Sequence, residues 1–229
     1  MSFITSLVFP RKCISCGTYI EHEQFICAAC NEKFVRVNPP YCRFCGVSKE
    51  HCTCAKHSHA YDGAVAPFYY EGGAKDAIHR LKFGRKENVA VYFANEMRSE
   101  IISRYFGIDF DILTCVPSTS ESERMRGFNQ SKSLAENLKI NIFPDMEQDF
   151  GLLVKLRPTS IQHMLGAAQR RKNIENAYGL NQGRDVRNKT ILIVDDILTT
   201  GATLDECTTV LKLNGAKAVY AAVAAMTRH

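Results

Sequence analysis

The sequence predicts an α/β fold, in which a mostly parallel sheet is flanked by helices, preceded by a small cysteine-rich module. Residues 191–194 are all apolar and residues 110–116 are largely so, as in strands that are buried on both faces of a parallel sheet. A helical pattern follows each of these strands, over residues 131–138 and from about residue 203 to Gly215. Eight of the ten cysteines lie before residue 55, which sets the first part of the chain apart.

The composition is that of an ordinary globular protein. The chain has 229 residues, of which 45% are hydrophobic and 23% charged, and this length suits one medium domain and one small one. The formal net charge of +5 is compatible with nucleic acid or phosphorylated substrates and proves neither. Because no run of about 18 apolar residues occurs, we expect no membrane insertion. The opening residues lack the features of a signal peptide, so we expect a cytoplasmic protein.

The cysteines before residue 55 form two sets with metal-ligand spacing. Four thiolates suit a closed tetrahedral Zn²⁺ site, and without a secretion signal we favour metal over disulfides. The second set ends in a shortened Cys-x-Cys pair, for which His51, His57 or His59 is an alternative ligand. We predict that the ligands pair sequentially, although interleaved sets remain open. The predicted metal ligands are Cys13, Cys16, Cys27 and Cys30, then Cys42, Cys45, Cys52 and Cys54.

Residues 1–60 are predicted to form a double zinc-ribbon domain, and residues 61–229 a second, larger domain. A ribbon of this size buries little apolar surface, so the metal supplies most of its folding free energy. Sites made only of cysteine are structural rather than catalytic. Basic side chains in the module are offset by acidic ones, so a role in docking proteins and a role in contacting nucleic acid both stay open.

The second domain begins with residues that predict two short strands, over 61–70. Gly72 and Gly73 then lead into a helix from residue 74 to about residue 83, and an amphipathic helix follows over 88–106. Aromatic side chains in the first part of this region could stack on a base. Alternate members of the strands would instead belong to the core. The candidates for stacking on such a base are Tyr70 and Phe83.

A loop rich in hydroxyl and guanidinium groups directly follows the strand at 110–116. Such side chains, together with backbone N–H groups, can surround an anion. Two acidic residues in this loop, Glu121 and Glu123, weaken that interpretation, and a solvated loop that caps the next helix is the alternative. The predicted anion-binding residues are Ser118, Thr119, Arg124 and Arg126.

A further strand is predicted at 152–156, followed by a segment rich in Arg, Gln and Asn over 157–176. We interpret this segment as a mobile loop that closes over the site and excludes water. The alternative is a basic helix over 167–175 that docks on another protein or on DNA phosphates.

The strand at 191–194 leads into two carboxylates and a loop of Thr and Gly, after which a helix begins. Ligands of open α/β sheets bind outside the carboxyl ends of the strands, and a helix N-terminus favours phosphate. Asp195 and Asp196 suit ribose hydroxyls or a hydrated Mg²⁺. A sugar, a phosphate and a metal together indicate a ribose 5-phosphate compound. The predicted 5′-phosphate loop consists of Thr199, Thr200, Gly201, Ala202 and Thr203.

Residues 191–203 resemble the phosphoribosyl-pyrophosphate (PRPP) motif of type I phosphoribosyltransferases. The version Asp-Asp-x-x-Thr-Thr-Gly-Ala-Thr-Leu is most similar to the ComF family, whose members are like the competence protein ComFC. Arg-Gly-Phe-Asn-Gln at 126–130, Leu-Lys-Phe-Gly at 81–84 and Asn-Ala-Tyr at 176–178 extend the resemblance. With the double zinc ribbon, it covers nearly the whole chain.

The resemblance implies a type I phosphoribosyltransferase fold, PRPP and Mg²⁺ as ligands, and Asp195 and Asp196 as the catalytic residues. It also implies that Ser118, Thr119, Arg124 and Arg126 bind the pyrophosphate of PRPP. Because few residues follow the last predicted strand, at 218–224, we expect any hood over the acceptor to come from the N-terminal region. The family further implies a role in DNA uptake during natural transformation. Its implied partners are single-stranded DNA, a DNA-uptake helicase and other competence proteins.

Three functions remain open at this point. The first, which we favour, is a phosphoribosyltransferase with an unknown acceptor. The second is a non-catalytic protein that senses PRPP or serves as a scaffold for single-stranded DNA and proteins in DNA uptake. The third is a zinc-ribbon interaction module that has kept the fold without its ligand.

Overall fold

The computed structural model describes most of the chain. The described ranges are 11–21, 23–55, 58–84, 87–119, 123–124, 127–138, 146–158 and 174–228, with the backbone alone at 82–84.

Strands and helices follow one another in mixed order after a short cysteine-rich start. A 3-10 turn at Lys49–His51 closes that start. The strands are β1 Arg11–Lys12, β2 Tyr19–Ile20, β3 Gly63–Val65, β4 Phe68–Tyr69, β5 Ile112–Cys115, β6 Glu147–Gln148, β7 Leu153–Lys155, β8 Tyr178–Leu180, β9 Thr190–Leu198 and β10 Ala218–Met226. The helices are α1 Ala28–Asn31, α2 Gly72–Gly84, α3 Glu87–Arg104, α4 Gln130–Leu138 and α5 Ala202–Leu213.

Six strands form one parallel sheet, which confirms the predicted fold class. Its order is β3, β10, β9, β5 and β6, and β4 pairs with the end of β10 beyond β3. In the register of the centre, Val194 of β9 lies between Ala222 of β10 and Cys115 of β5. The carboxyl ends of these strands therefore meet at one edge.

Both faces of the sheet are buried, as the apolar run at 191–194 requires. Ile191 belongs to one core cluster with Leu211 of α5, and its neighbour Leu192 belongs to the other with Phe93 of α3. None of these four side chains is exposed to solvent. Successive strand residues point to opposite faces, so the two clusters are the two sides of one sheet.

Strand β9 is longer than predicted, because β10 continues to pair with it after β5 has ended. Met226 still lies opposite Leu198 in the ladder, four residues past Val194. Asp195 and Asp196 therefore lie within the strand rather than after it. The strand predicted at 152–156 corresponds to β7, which pairs antiparallel with β8 in a separate two-stranded sheet.

The cysteine-rich module packs directly against the sheet and its helices. The amide of Gly73 donates to the carbonyl of Lys33 at 2.9 Å. A Cβ at Gly72 would lie 2.4 Å from that same oxygen, so α2 begins at a glycine, two residues before the predicted start. The amide of Tyr69 in β4 donates to Val35 at 2.8 Å, which links the spacer between the ribbons to the sheet edge.

Among the described helices, none combines the length and apolar character needed to cross a bilayer.

Candidate functional site

The first four cysteines converge at one point. The Sγ atoms of this set all lie within 4.8 Å of one another. Cys16 and Cys27 are 3.8 Å apart at sulfur. A tetrahedral Zn²⁺ with Zn–S bonds of about 2.3 Å requires sulfur atoms about 3.8 Å apart. The spacing in this cluster therefore fits a structural zinc ion, and the residues involved are Cys13, Cys16, Cys27 and Cys30.

The second four cysteines form a similar cluster, which includes the shortened pair. Cys42 and Cys54 are 3.8 Å apart at sulfur. Cys45 and Cys52 are 3.7 Å apart. This cluster also fits Zn²⁺, and it confirms sequential pairing of two four-cysteine sets.

The histidines considered as alternative ligands have other neighbours where they are described. The ring of His51 lies edge-on to Tyr69, with centroids 5.7 Å apart. The Nδ1 atom of His59 lies 3.1 Å from Oδ2 of Asp205. The remaining candidate, His57, lies outside the described residues.

Local hydrogen bonds favour the thiolate form of Cys16 in the first cluster and of Cys42 in the second. The Thr18 hydroxyl, 3.3 Å from Cys16 Sγ, lowers the pKa of Cys16 to about 6. At Cys42, burial raises the pKa. The hydrogen bonds from the N–H groups of Cys45 and Phe44 outweigh this effect, and the pKa is lowered to about 7. Burial raises the pKa of Cys30 to about 12. A bound divalent cation would remove the proton from such a thiol, since thiolate is the ligand form.

The two predicted catalytic carboxylates lie where the sheet opens. The amide of Val116 donates to the carbonyl of Val194 at 2.9 Å, and the chain after Val116 then leaves β9. The next two residues of β9 are Asp195, which is 9% exposed, and Asp196, which is half-buried. Oxygen Oδ1 of Asp195 accepts from the hydroxyl of Ser131 at 2.7 Å and from the amide of Asp196 at 2.9 Å. These contacts fix the Asp195 carboxylate at the opening.

The predicted 5′-phosphate loop follows β9 and turns into α5. Gly201 is the N-cap residue and has a φ of 79°, a left-handed conformation that favours glycine. No side chain caps the helix end there. Because Ala202 and Thr203 form the first turn of α5, their N–H groups point out of the helix end, where an anion binds. Thr199 and Thr200 are half-buried in the bend before it.

The predicted pyrophosphate loop begins at the carboxyl end of β5, beside the carboxylates. Within this loop the hydroxyl of Ser118 donates to Oε1 of Glu123 at 2.6 Å. The amide of Glu123 donates to the carbonyl of Thr119 at 2.9 Å. Arg124 is exposed, and Arg126 lies outside the described residues.

The predicted hood and lid are described in part. Tyr70 follows β4 at the carboxyl edge of the sheet, is half-buried, and donates its amide to Met226 at 2.7 Å. The side chain of Phe83 and residues 159–173 lie outside the description. Where the chain is described again, Asn176 has a φ of 55° and donates its amide to Glu206 of α5 at 2.7 Å.

Two families of domains match the chain, and together they span most of it. Residues 4–61 match the double zinc ribbon domain, and residues 124–229 match the phosphoribosyl transferase domain. The first range contains both cysteine clusters, and the second contains β9 and the loop before α5.

Curated relatives share this arrangement over nearly their full length. The DNA utilization protein YhgH of Escherichia coli (strain K12) is 30% identical over 202 residues, which are 85% of this chain and 87% of the relative. The chain belongs to the ComF family. Competence protein F of Haemophilus influenzae is 25% identical over 92% of this chain and 95% of its own length. Competence protein ComFC of Streptococcus pneumoniae is 25% identical over 91% and 96%.

Solved structures that are similar to this ComF-family chain include a hypoxanthine phosphoribosyltransferase from Staphylococcus aureus. It is 15% identical, covers 64% of this chain and 69% of its own, and superimposes with a TM-score of 0.36.

Two residues of the candidate site were missed from the sequence. Asn129, of the Arg-Gly-Phe-Asn-Gln motif, donates its side-chain amide to the carbonyl of Val116 at 3.1 Å and accepts from the amide of Lys132 at 3.2 Å. It therefore ties the end of the predicted pyrophosphate loop to the residue that follows β5, and it caps α4. Ser131 lies two residues further and contacts Asp195. The motif itself was the available signal, but it did not indicate which strand these side chains would reach.

Proposed function

We propose that the protein binds PRPP with Mg²⁺ at the carboxyl edge of the sheet and transfers its phosphoribosyl group to an acceptor, in support of DNA uptake during natural transformation. The observation that carries this proposal is the opening beside β9. There Asp195 and Asp196 lie next to the end of β5, seven and six residues before the first residue of α5. A ribose would contact the carboxylates while its 5′-phosphate contacts the turn from Thr199 to Thr203.

The residues act mainly by positioning and by stabilising charge. Transfer breaks the bond between ribose C1 and a pyrophosphate oxygen, and the nucleophilic atom of the acceptor forms the new bond to C1. Positive charge develops on the ribose, and the buried carboxylate of Asp195 would stabilise it while holding the hydroxyls. Asp196 is half-buried and has oxygen atoms of the type that hydrated Mg²⁺ prefers. The metal would offset the charge of the leaving pyrophosphate.

Release of pyrophosphate from Mg-PRPP, measured with a panel of nucleobases, amines and nucleic-acid ends as acceptors, tests the transfer reaction. The proposal predicts release that depends on one class of acceptor. The D195N/D196N variant is the matched control and should release none. If no acceptor supports release, the transferase activity is contradicted.

One contact favours a second candidate function, a protein that senses PRPP without catalysis. Ser118 donates to Glu123, so a carboxylate occupies the loop where pyrophosphate oxygens would otherwise accept that hydrogen bond. Such a loop would hold pyrophosphate weakly. In that case Mg-PRPP raises the melting temperature while the acceptor panel gives no pyrophosphate. If Mg-PRPP gives no thermal shift either, both candidate functions are contradicted.

The zinc ribbons carry features that suit single-stranded DNA as a partner. Tyr19 is 63% exposed with the Lys12 ammonium 4.8 Å from its ring centroid. Phe44 is 45% exposed with the Arg43 guanidinium 4.9 Å from its ring centroid. An exposed ring beside a cation can stack on a base and contact the neighbouring phosphate. We extend the proposal to a DNA-uptake helicase and other competence proteins as protein partners of the same process.

A salt titration with a fluorescent oligonucleotide tests direct DNA binding. Phosphate contacts predict that log Kd changes linearly with log salt, and K12A/R43A should reduce the slope. The Y19A/F44A variant should weaken binding and leave the slope unchanged. An affinity that does not depend on salt would remove nucleic acid as a direct partner.

A further inference from the structure

The segment that joins the second zinc ribbon to β3 lies across the start of α5. Asp205, in the first turn of α5, accepts from the amide of Ala60 at 2.7 Å through Oδ1, and its Oδ2 lies 3.1 Å from Nδ1 of His59. Further along the helix, Lys212 donates to the carbonyl of Ala60 at 2.7 Å and to Asp62 at 3.0 Å. The linker is therefore held at two points by the helix whose N-terminus forms the phosphate loop.

The imidazole of His59 packs against the turn of that loop. A Cβ at Gly201 would lie 2.8 Å from Cε1 and 2.9 Å from Nδ1 of this ring. The ring also stacks on Tyr61, with centroids 4.6 Å apart and planes at 12°. The side chain of His59 is 7% exposed. The His59 ring thus packs behind the left-handed turn at Gly201, and this ring belongs to the linker rather than to the motif at residues 191–203.

The contact with Asp205 orients the His59 ring. A carboxylate beside Nδ1 favours the tautomer that carries the proton on Nδ1 and fixes the rotation of the ring. The stacked Tyr61 limits movement of the opposite side. A ring held in this way restricts the φ and ψ angles of Gly201, and these angles set the direction of the N–H groups that would receive the phosphate.

We propose that His59, oriented by Asp205, is a positioning residue for the 5′-phosphate loop. The linker that follows the second zinc ribbon thereby takes part in recognising the ribose 5-phosphate part of PRPP. This inference rests on the proposed function and deepens it, because it assigns a role in ligand affinity to the linker that follows the ribbon.

Calorimetric titration of the zinc-loaded, full-length protein with three probes tests the inference. The probes are Mg-PRPP, ribose 5-phosphate and inorganic pyrophosphate. H59A should lower the affinity for the first two by about tenfold or more, since a small misplacement of binding groups is costly. The affinity for pyrophosphate should stay the same, because the predicted pyrophosphate loop follows β5 and not β9. H59F keeps a flat ring behind Gly201 and should lose less affinity than H59A.

Two further variants separate positioning from folding. D205N removes the orienting charge without opening a cavity and should weaken ribose 5-phosphate binding in the same direction as H59A. R80A breaks the contact of Arg80 with the carbonyl of Cys16, at 2.8 Å, which joins the first ribbon to α2. It should leave the affinity for all three probes unchanged.

The outcomes distinguish this inference from the proposed function. Wild-type protein that binds none of the probes would overturn the proposed function, and the inference with it. Wild-type binding together with unchanged affinity in H59A and D205N would overturn the inference alone. An equal loss of affinity for pyrophosphate and for ribose 5-phosphate in both variants would also overturn the inference, because that result indicates a general structural role.

Discussion

The hydroxyl of Ser131 donates a hydrogen bond of 2.7 Å to Oδ1 of Asp195. Both residues are buried, at 6% and 9% exposure, and the bond joins α4 to the central strand β9. Because α4 follows the predicted pyrophosphate loop and β9 leads into the predicted 5′-phosphate loop, this contact connects the two halves of the candidate site. It also holds one face of the carboxylate that we assign to the ribose.

Removing this hydroxyl should destabilise the protein as well as weaken its ligand affinity. S131A leaves a buried carboxylate oxygen with one donor fewer, and hydrogen bonds to charged groups contribute about 1.5–3 kcal/mol. We expect the free energy of unfolding to fall by about 2 kcal/mol in urea denaturation. S133A, two residues away on α4 and half-buried, is the control and should change stability by less than about 0.5 kcal/mol. Equal effects of the two substitutions would contradict the assigned role of Ser131.

Substitution of Gly201 should lower the stability of the protein by more than the left-handed backbone conformation alone explains. G201A introduces a Cβ at a φ of 79° and places it 2.8 Å from the buried His59 ring. Gly183 has a φ of 77° with nothing within 4 Å of the added Cβ. G183A therefore measures the left-handed strain by itself, about 1–2 kcal/mol. We expect G201A to lower the melting temperature by several degrees more than G183A, and a matching decrease in both would refute close packing at the loop.

The zinc content should depend on the cysteines of the two clusters and not on the buried cysteines elsewhere in the core. Metal analysis of the purified protein should give two Zn²⁺ per chain, one for each cluster. C16S and C45S should each lose one of them and lower the melting temperature, because metal binding supplies folding free energy in small ribbons. C115S, at a buried thiol in β5 outside both clusters, is the control and should retain both ions. A wild-type zinc content below one would show that the clusters serve another purpose.

The residues that could be placed from the sequence are those whose patterns are local. The apolar run at 191–194 indicated a strand buried on both faces, and the cysteine spacings indicated the two clusters. Helix α5 begins at Ala202, within two residues of its predicted start, because Gly and Thr mark a helix N-terminus in any context. These signals depend on a few neighbouring residues, so the sequence contains them in full.

The features that were missed depend on partners distant in the chain. Strand β9 runs past Asp195 because β10 pairs with it to Met226, and no pattern within β9 shows this. Helix α2 begins at Gly72 because the carbonyl of Lys33 approaches it, which follows from how the ribbon packs. The contact between His59 and Asp205 spans 146 positions. Such contacts are decided by packing between elements, and the sequence of either element alone does not specify them.

The central claim is that Asp195 and Asp196 bind Mg-PRPP, and a thermal-shift comparison tests it most directly. At a hundredfold excess over Kd, a ligand stabilises its protein by about 2.7 kcal/mol, which is several degrees in Tm for a chain of this size. Wild type should show this shift. The control D111N changes a carboxylate that accepts from Thr190 at 2.7 Å, at the amino end of β9, and should show it too. The account predicts that D195N/D196N loses the shift, and a double variant that keeps the full shift would contradict it.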